Sequence, residues 1–249
     1  MLEKQTVNQV TAYDTIIKTI HVYVALCDNK YQGIVPVPKK IGNGQDPFNN
    51  LYWGCGYGVK TYFKNSADWK LIRTTKDSGY VLERCVFKSK KHANVYLIAD
   101  AYDGAYIKQC TVDFLRGTAG IEKDTVQIDG KIIGIKGNAL LTAYIGHNGL
   151  MDFSIGLDFE NTDNKERKAI MLACISRDYF KGFIKEAGAY PLVWTTGLMA
   201  PEAYTLHDAV GAWLNNETNT NVRLKAAAAY HKYQKCGEKA AKNLLVTGW

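Results

Sequence analysis

Two short apolar segments, each followed directly by a residue able to take part in covalent chemistry, constrain this chain most. The first covers residues 139–146 and precedes His147, and the second covers residues 169–173 and precedes Cys174. Segments of this length that are rich in Leu, Ile and Tyr are typical of buried strands in a parallel sheet. Because ligands bind at the carboxyl ends of such strands, we expect His147 and Cys174 to share one crevice.

A cysteine and a histidine in one crevice point to nucleophilic catalysis, because imidazole is the usual base that activates a thiol. Cys174 also precedes a predicted helix that begins near Ser176, and a helix N-terminus favours the thiolate. The structural alternative is that Cys174 is an ordinary buried side chain. Cys27 also follows a strand and is the rival nucleophile, but the charge of the neighbouring Asp28 is expected to raise its thiol pKa.

Length and composition favour one soluble α/β domain. The 249 residues are 47% hydrophobic, and no long linker divides them, so we predict a single domain over 1–249 with a lead-in at 1–18 and C-terminal helices at 215–249. The net charge of +7 is scattered along the chain. The short basic run at 88–91 is typical of a solvated loop, so no nucleic-acid partner is predicted.

The cysteines and the apolar runs indicate the cellular setting. The six cysteines lie far apart without a C-x-x-C pair, which predicts neither a disulfide framework nor a zinc site. No apolar run approaches 18 residues, and the N-terminus lacks the pattern of a signal peptide. We therefore expect reduced thiols, a cytoplasmic location, no bound metal or cofactor and no membrane association.

The remaining elements are predicted from their patterns. Further strands are expected at 19–26, 80–87, 94–99 and 190–194. Residues 125–135 are expected to form either a hairpin that turns at Asp129 and Gly130 or a single strand with a bulge there. Helices are expected at 5–18, 49–65, 104–116, 176–187, 201–214 and 221–245, the last with a break near Gly237. These elements predict an α/β three-layer sandwich with a mainly parallel six-stranded sheet and helices on both faces.

Two motifs carry a resemblance to a known family. Residues 144–149 (Tyr-Ile-Gly-His-Asn-Gly) and 171–176 (Met-Leu-Ala-Cys-Ile-Ser) resemble the motifs of the caspase-like cysteine peptidases, which include caspases, metacaspases, gingipains, clostripain and CHAT-domain proteases. In that family one strand ends in His-Gly and the next ends in Cys. Here Asn148 stands between the histidine and the glycine, and the spacing from His147 to Cys174 is short for the family. The resemblance implies a caspase-like fold and hydrolysis of a protein or peptide substrate by a His147–Cys174 dyad.

The resemblance and the strand ends also suggest a substrate pocket. Metacaspases have an acidic residue after the first strand that helps to bind a basic substrate side chain, and Asp28 occupies the comparable position. This predicts cleavage after Arg or Lys. Alternatively, Asp28 caps the loop turn at 29–32. Trp194 and Thr195 are expected to complete the pocket, although Trp194 fits the protein core equally well.

Other groups are assigned from position alone. The amides of Gly149 and Cys174 are expected to form an oxyanion hole. Asp152 and Asp158 are candidates to orient the imidazole, although solvated loop acids are the commoner case. His21, inside the first strand, is predicted to be a packed structural histidine.

Two other classes of function remain open at this stage. The first is a hydrolase with a metal ion, or with a nucleotide phosphate in the loop at 42–47; its candidate metal ligands are Asp28, Asp100, Asp103, His147 and Cys174. The second is a caspase-like fold that binds or regulates without turnover.

Overall fold

The computed structural model describes residues 12–76 and 79–249, and its strands supply the frame of the molecule. Those strands are β1 (Lys18–Ala25), β2 (Trp69–Lys76), β3 (Val81–Ser89), β4 (Val95–Tyr102), β5 (Lys123–Ile128), β6 (Lys131–Lys136), β7 (Leu141–Ile145), β8 (Lys168–Leu172), β9 (Tyr190–Thr195) and β10 (Leu245–Val246). The α-helices of these ranges are α1 (Val59–Asn65), α2 (Ile107–Thr118), α3 (Ser176–Glu186), α4 (Ala203–Leu214), α5 (Asn219–Gln234) and α6 (Glu238–Leu244).

One mixed sheet contains eight of these strands, in the order β10-β9-β8-β7-β1-β4-β3-β2. The run from β9 to β4 is parallel, whereas β10, β3 and β2 are antiparallel to their neighbours. The predicted α/β class with a mainly parallel sheet is therefore confirmed. The sheet is larger than predicted because β2 and β10 extend it at its two edges.

Alternating side chains of the central strands build two cores, one on each face of the sheet. Val22 and Val24 of β1 face a core that also contains residues of α1, α4 and α5. Tyr23 of the same strand faces a second core with Phe114 of α2 and Phe180 of α3. Burying each such aromatic or aliphatic side chain stabilises the fold by about 1.5–3 kcal/mol. These contacts therefore hold both helix layers against the sheet.

The hairpin predicted at 125–135 is present as the separate pair β5–β6. Its turn residues Asp129 and Gly130 both have positive φ, at 49° and 77°. That conformation matches the strand twist of a two-residue hairpin and explains the Asp-Gly sequence. Ile133 and Ile135 of β6 pack with Ile98 of β4.

The prediction of a helix over residues 49–65 is wrong for most of its length, since only α1 is helical. The preceding residues form turns around the buried Asn50 side chain. Asn50 accepts hydrogen bonds from the N–H groups of Cys27 and Tyr52 and donates to the carbonyls of Cys27 and Asn43. Side-chain bonds of this kind compete with the helical backbone pattern.

Within the described residues, the predicted lead-in helix is also absent. Residues 12–17 form turns and bends before β1 begins at Lys18, and residues 5–11 lie outside the described residues.

Candidate active site

Strands β7 and β8 carry His147 and Cys174 to the same edge of the sheet. In this parallel pair Ile145 lies opposite Leu172, an offset of 27 residues. His147 and Cys174 each lie two residues beyond this pair, so both come just past the same end of two neighbouring strands. The Asn148 side chain donates to the carbonyl of Cys174 at 2.7 Å and so joins the segments that follow β7 and β8.

The chain changes direction directly before His147 and directly after Cys174. Gly146 has a φ of 145°, and a Cβ there would lie 2.7 Å from the carbonyl oxygen of Ala25, so the position requires glycine. Ile175 has a φ of 50°, which is unusual for a β-branched residue. Its N–H donates to the carbonyl of Gly197 at 2.8 Å, which helps to hold this strained turn.

A carboxylate orients the imidazole of His147. The distance from Nε2 to Oδ2 of Asp152 is 2.7 Å, and the same oxygen accepts the Gly33 N–H at 2.9 Å. A neutral imidazole that donates from Nε2 keeps its lone pair on Nδ1. Among the described residues, none forms a hydrogen bond with Nδ1 of His147.

The position of Asp152 depends on local structure that the sequence pattern does not reveal. A short 3-10 turn at Gly149–Met151 folds the chain back after β7, and the Asn148 side chain caps it by accepting the N–H of Leu150. This turn brings the Asp152 carboxylate back to the imidazole of His147. Asp158, the other sequence candidate, is exposed to solvent.

The thiol of Cys174 is partly exposed and lies against a loop that follows β9. The N–H of Met199 donates to Sγ at 3.4 Å, and Sγ lies 3.6 Å from the carbonyl oxygen of the same residue. Within the described residues, the backbone N–H of Cys174 has no hydrogen-bond acceptor. That amide is therefore available as an oxyanion donor.

Gly149, the second expected oxyanion donor, lies outside the crevice. It is buried in the 3-10 turn and does not line the cavity that contains Cys174. The glycines that line the crevice are Gly33 and Gly146.

His147 and Cys174 line one cavity of about 290 Å³. Its other walls come from the loop after β1, from the turn after β7 and from the loop after β9, and they consist of Gly33, Ile34, Val35, Val37, Tyr52, Gly146, Met151, Leu198, Met199 and Pro201. None of these additional side chains carries a formal charge at neutral pH. The crevice is thus an apolar cleft with a thiol and an imidazole in its wall.

Asp28 does not line this cavity. Its side chain is buried, and its carboxylate accepts hydrogen bonds from the N–H groups of Lys30 and Tyr31 and from the Gln45 amide. The structure therefore has the alternative arrangement, in which Asp28 caps the turn that follows β1. Nothing in this geometry supports a pocket for Arg or Lys.

Trp194 and Thr195 do not line the cavity, and Trp194 has the alternative position in the protein core. Both side chains are fully buried, and Trp194 belongs to the core that contains α3. Thr195 instead positions the start of α3, because its hydroxyl accepts the N–H of Ser176 at 3.0 Å. These residues support the strand end that carries Cys174 without reaching the crevice.

The rival nucleophile Cys27 and the candidate metal ligand Asp100 lie inside the protein. Burial raises the pKa of the Cys27 thiol to about 11, which keeps it protonated at neutral pH. Asp100 is held inside the sheet by Arg84 and by His21, which is buried as predicted. In the ranges that the structure describes, no group of three or more His, Cys, Asp or Glu residues is arranged to hold a metal ion.

Comparison with known proteins gives no relative. No protein-family model, curated protein or solved structure matches this chain significantly. Across the described residues we find no helix with the length and apolar character needed to cross a bilayer. All six cysteines are free thiols.

Proposed function

We propose that this protein is a cysteine peptidase of the caspase-like type, with Cys174 as the nucleophile and His147 as the general base. The observation that carries the proposal is that the imidazole, oriented by Asp152 through Nε2, lines the same cavity as the Cys174 thiol. The order of the motifs, with the histidine after one parallel strand and the cysteine after the next, agrees with the resemblance to that family.

The proposed reaction has two steps. Nδ1 of His147 takes the thiol proton while Sγ of Cys174 bonds to the carbonyl carbon of the substrate, and the C–N bond then breaks as the amine leaves with that proton. The product of this step is a thioester on Cys174. In the second step the imidazole takes a proton from water, the hydroxide displaces Sγ, and the new carboxylic acid leaves while the thiol is restored.

Two neighbouring groups support this chemistry. The carboxylate of Asp152 stabilises the imidazolium that forms transiently and fixes the tautomer with the lone pair on Nδ1. The N–H of Cys174 is the proposed donor to the oxyanion, and one such donor lowers the barrier by about 3 kcal/mol in other hydrolases.

Digestion of a random peptide library, read by mass spectrometry, tests the proposal. Cys174→Ala and His147→Ala should abolish cleavage without unfolding the protein, whereas the matched control Cys236→Ala, at an exposed cysteine outside the cavity, should cleave normally. Equal cleavage by the wild type and the Cys174→Ala protein would remove the hypothesis.

Alkylation distinguishes an active dyad from a binding module. Iodoacetamide should label Cys174 faster than the exposed Cys236 at pH 7, and His147→Ala should slow only the first of these rates. A folded protein in which Cys174 reacts more slowly than Cys236, and in which His147→Ala has no effect, favours a module without turnover.

A further inference from the structure

The cavity beside the dyad has an apolar rim as well as apolar walls. Val35 is 88% exposed, Leu198 is 71% exposed and Met151 is 40% exposed, and all three line this one cavity. They come from three separate segments of the chain, so their meeting point is a property of the fold. Large apolar side chains that remain in water around a concave site mark a surface that binds an apolar partner.

No carboxylate lines the cavity, and the acidic side chains next to its lining residues accept hydrogen bonds within the described chain. Oδ2 of Asp152 accepts from both His147 and Gly33. Glu202 follows Pro201 of the cavity wall, but its carboxylate accepts the Tyr204 hydroxyl at 2.9 Å and the Gln234 amide at 3.1 Å. The carboxylate of Asp28 accepts hydrogen bonds from backbone N–H groups of the turn that follows β1.

A basic substrate side chain would therefore lose water without gaining an ion pair. Desolvation of an ammonium or guanidinium group is unfavourable unless a carboxylate or a set of acceptors replaces its water. An apolar side chain has no such requirement and gains free energy in proportion to the area that it buries.

From this geometry we infer that the crevice binds peptides through an apolar side chain next to the scissile bond, such as Leu, Met or Phe, in place of the Arg or Lys predicted from the sequence. Cleavage of the bound peptide rests on the proposed function, whereas the preference for an apolar group is a property of the cavity itself. The two claims can therefore fail separately.

A set of alkylating reagents with one reactive group tests the preference without turnover. The reagents are iodoacetamide, N-phenethyl iodoacetamide and an iodoacetamide that carries a trimethylammonium group. Cys236 of the same protein provides an internal reference for intrinsic reactivity and overall charge. At Cys174 the ratio of the phenethyl rate to the cationic rate should exceed the ratio at Cys236 by about tenfold or more.

Matched variants assign the effect to the rim. Leu198→Glu should reduce this tenfold preference at least severalfold, because it adds a carboxylate to an apolar wall. Ile16→Glu is the control, since Ile16 is 72% exposed and precedes the amino-terminal end of β1, whereas the cavity lies at the carboxyl-terminal ends of the parallel strands. Equal ratios at Cys174 and Cys236, a faster cationic reagent at Cys174, or a preference unchanged by Leu198→Glu would overturn the inference. Loss of peptide cleavage with an intact apolar preference would count against the peptidase alone.

Discussion

Two of the His–Asp pairs in the described residues, His21–Asp100 and His147–Asp152, differ in what surrounds the ring. In the first pair Nε2 of His21 lies 3.0 Å from Asp100 and Nδ1 accepts the N–H of Lys136, so both ring nitrogens are occupied and both side chains are fully buried. In the second pair Nε2 of His147 lies 2.7 Å from Asp152, whose side chain is 31% exposed, and the ring lines a cavity.

The surrounding charges separate the pairs further. Burial opposes the ionisation of Asp100, but hydrogen bonds and charge interactions with Arg84 and His21 hold its pKa well below the usual range. Burial lowers the pKa of His21, which remains neutral at pH 7. The first pair is thus a saturated structural network. Of the two pairs, only the second leaves a ring nitrogen for the proton transfer that we propose.

The same substitution at both histidines should give opposite results, and this is the largest effect we expect. His147→Gln should lower kcat/KM for peptide cleavage by about 10³-fold, because the base is lost, and leave stability nearly unchanged. His21→Gln should lower stability and leave the activity of the folded protein within about threefold of the wild type. Kinetics and urea unfolding of both variants make the test, and a similar activity loss in the two would contradict the distinction.

Substitution of the carboxylates should separate the pairs by stability. Asp100→Asn should lower the free energy of unfolding by about 3–5 kcal/mol, because Arg84 loses its buried partner. The matched change Asp152→Asn should cost less than about 1 kcal/mol at its partly exposed position. Denaturant unfolding measures both, and equal losses would show that the exposure of the pair does not decide its energy.

Asp152 should act as a positioning residue in the second pair. Asp152→Asn should lower kcat by roughly 10²-fold with little change in KM, because the carboxylate contacts the imidazole and not the substrate. Asp152→Glu, which can still accept from Nε2, should recover part of the rate. Steady-state kinetics provide the measurement, and a change confined to KM would assign Asp152 to substrate binding instead.

The last effect concerns pH and belongs to the first pair. The folded pKa of His21 is below that of the unfolded chain, near 6.5, so the unfolded state binds the proton more readily. Stability is therefore complete above pH 6.5 and falls as the pH decreases, by at most about 1.4 kcal/mol per pH unit for one proton. Protonation of Asp100 in the unfolded chain adds a loss of the same sign below about pH 4. Urea unfolding from pH 8 to pH 4 checks this, and His21→Gln should flatten the upper part of the curve.

Much of the sheet could be predicted from the sequence, because its central strands are continuous apolar runs. All eight positions of β4 are buried, which makes the run unmistakable. The edge strand β2 was missed because most of its residues are exposed and polar, and β10 because it has only two residues. The positions of His147 and Cys174 followed from the same runs, since both residues come directly after buried strands.

The rest of the site depends on orientation, which a sequence pattern does not contain. Trp194 lies at the end of β9 as expected, but its side chain points to the core beneath α3. Asp28 also follows its strand, yet nearby backbone N–H groups capture its carboxylate. Asp152 gained its partner only through the turn at Gly149–Met151.

The register of β7 and β8 has a consequence for how such a chain can change during evolution. The hydrogen bonds of the sheet, and not the covalent connection, bring the ends of β7 and β8, and with them His147 and Cys174, to the same side of the molecule. Insertions or deletions in the exposed stretch around residues 154–158 would alter the number of residues between the two side chains and leave their distance unchanged. Two proteins with very different His–Cys spacings can therefore share one geometry, so the short interval in this chain says little about descent.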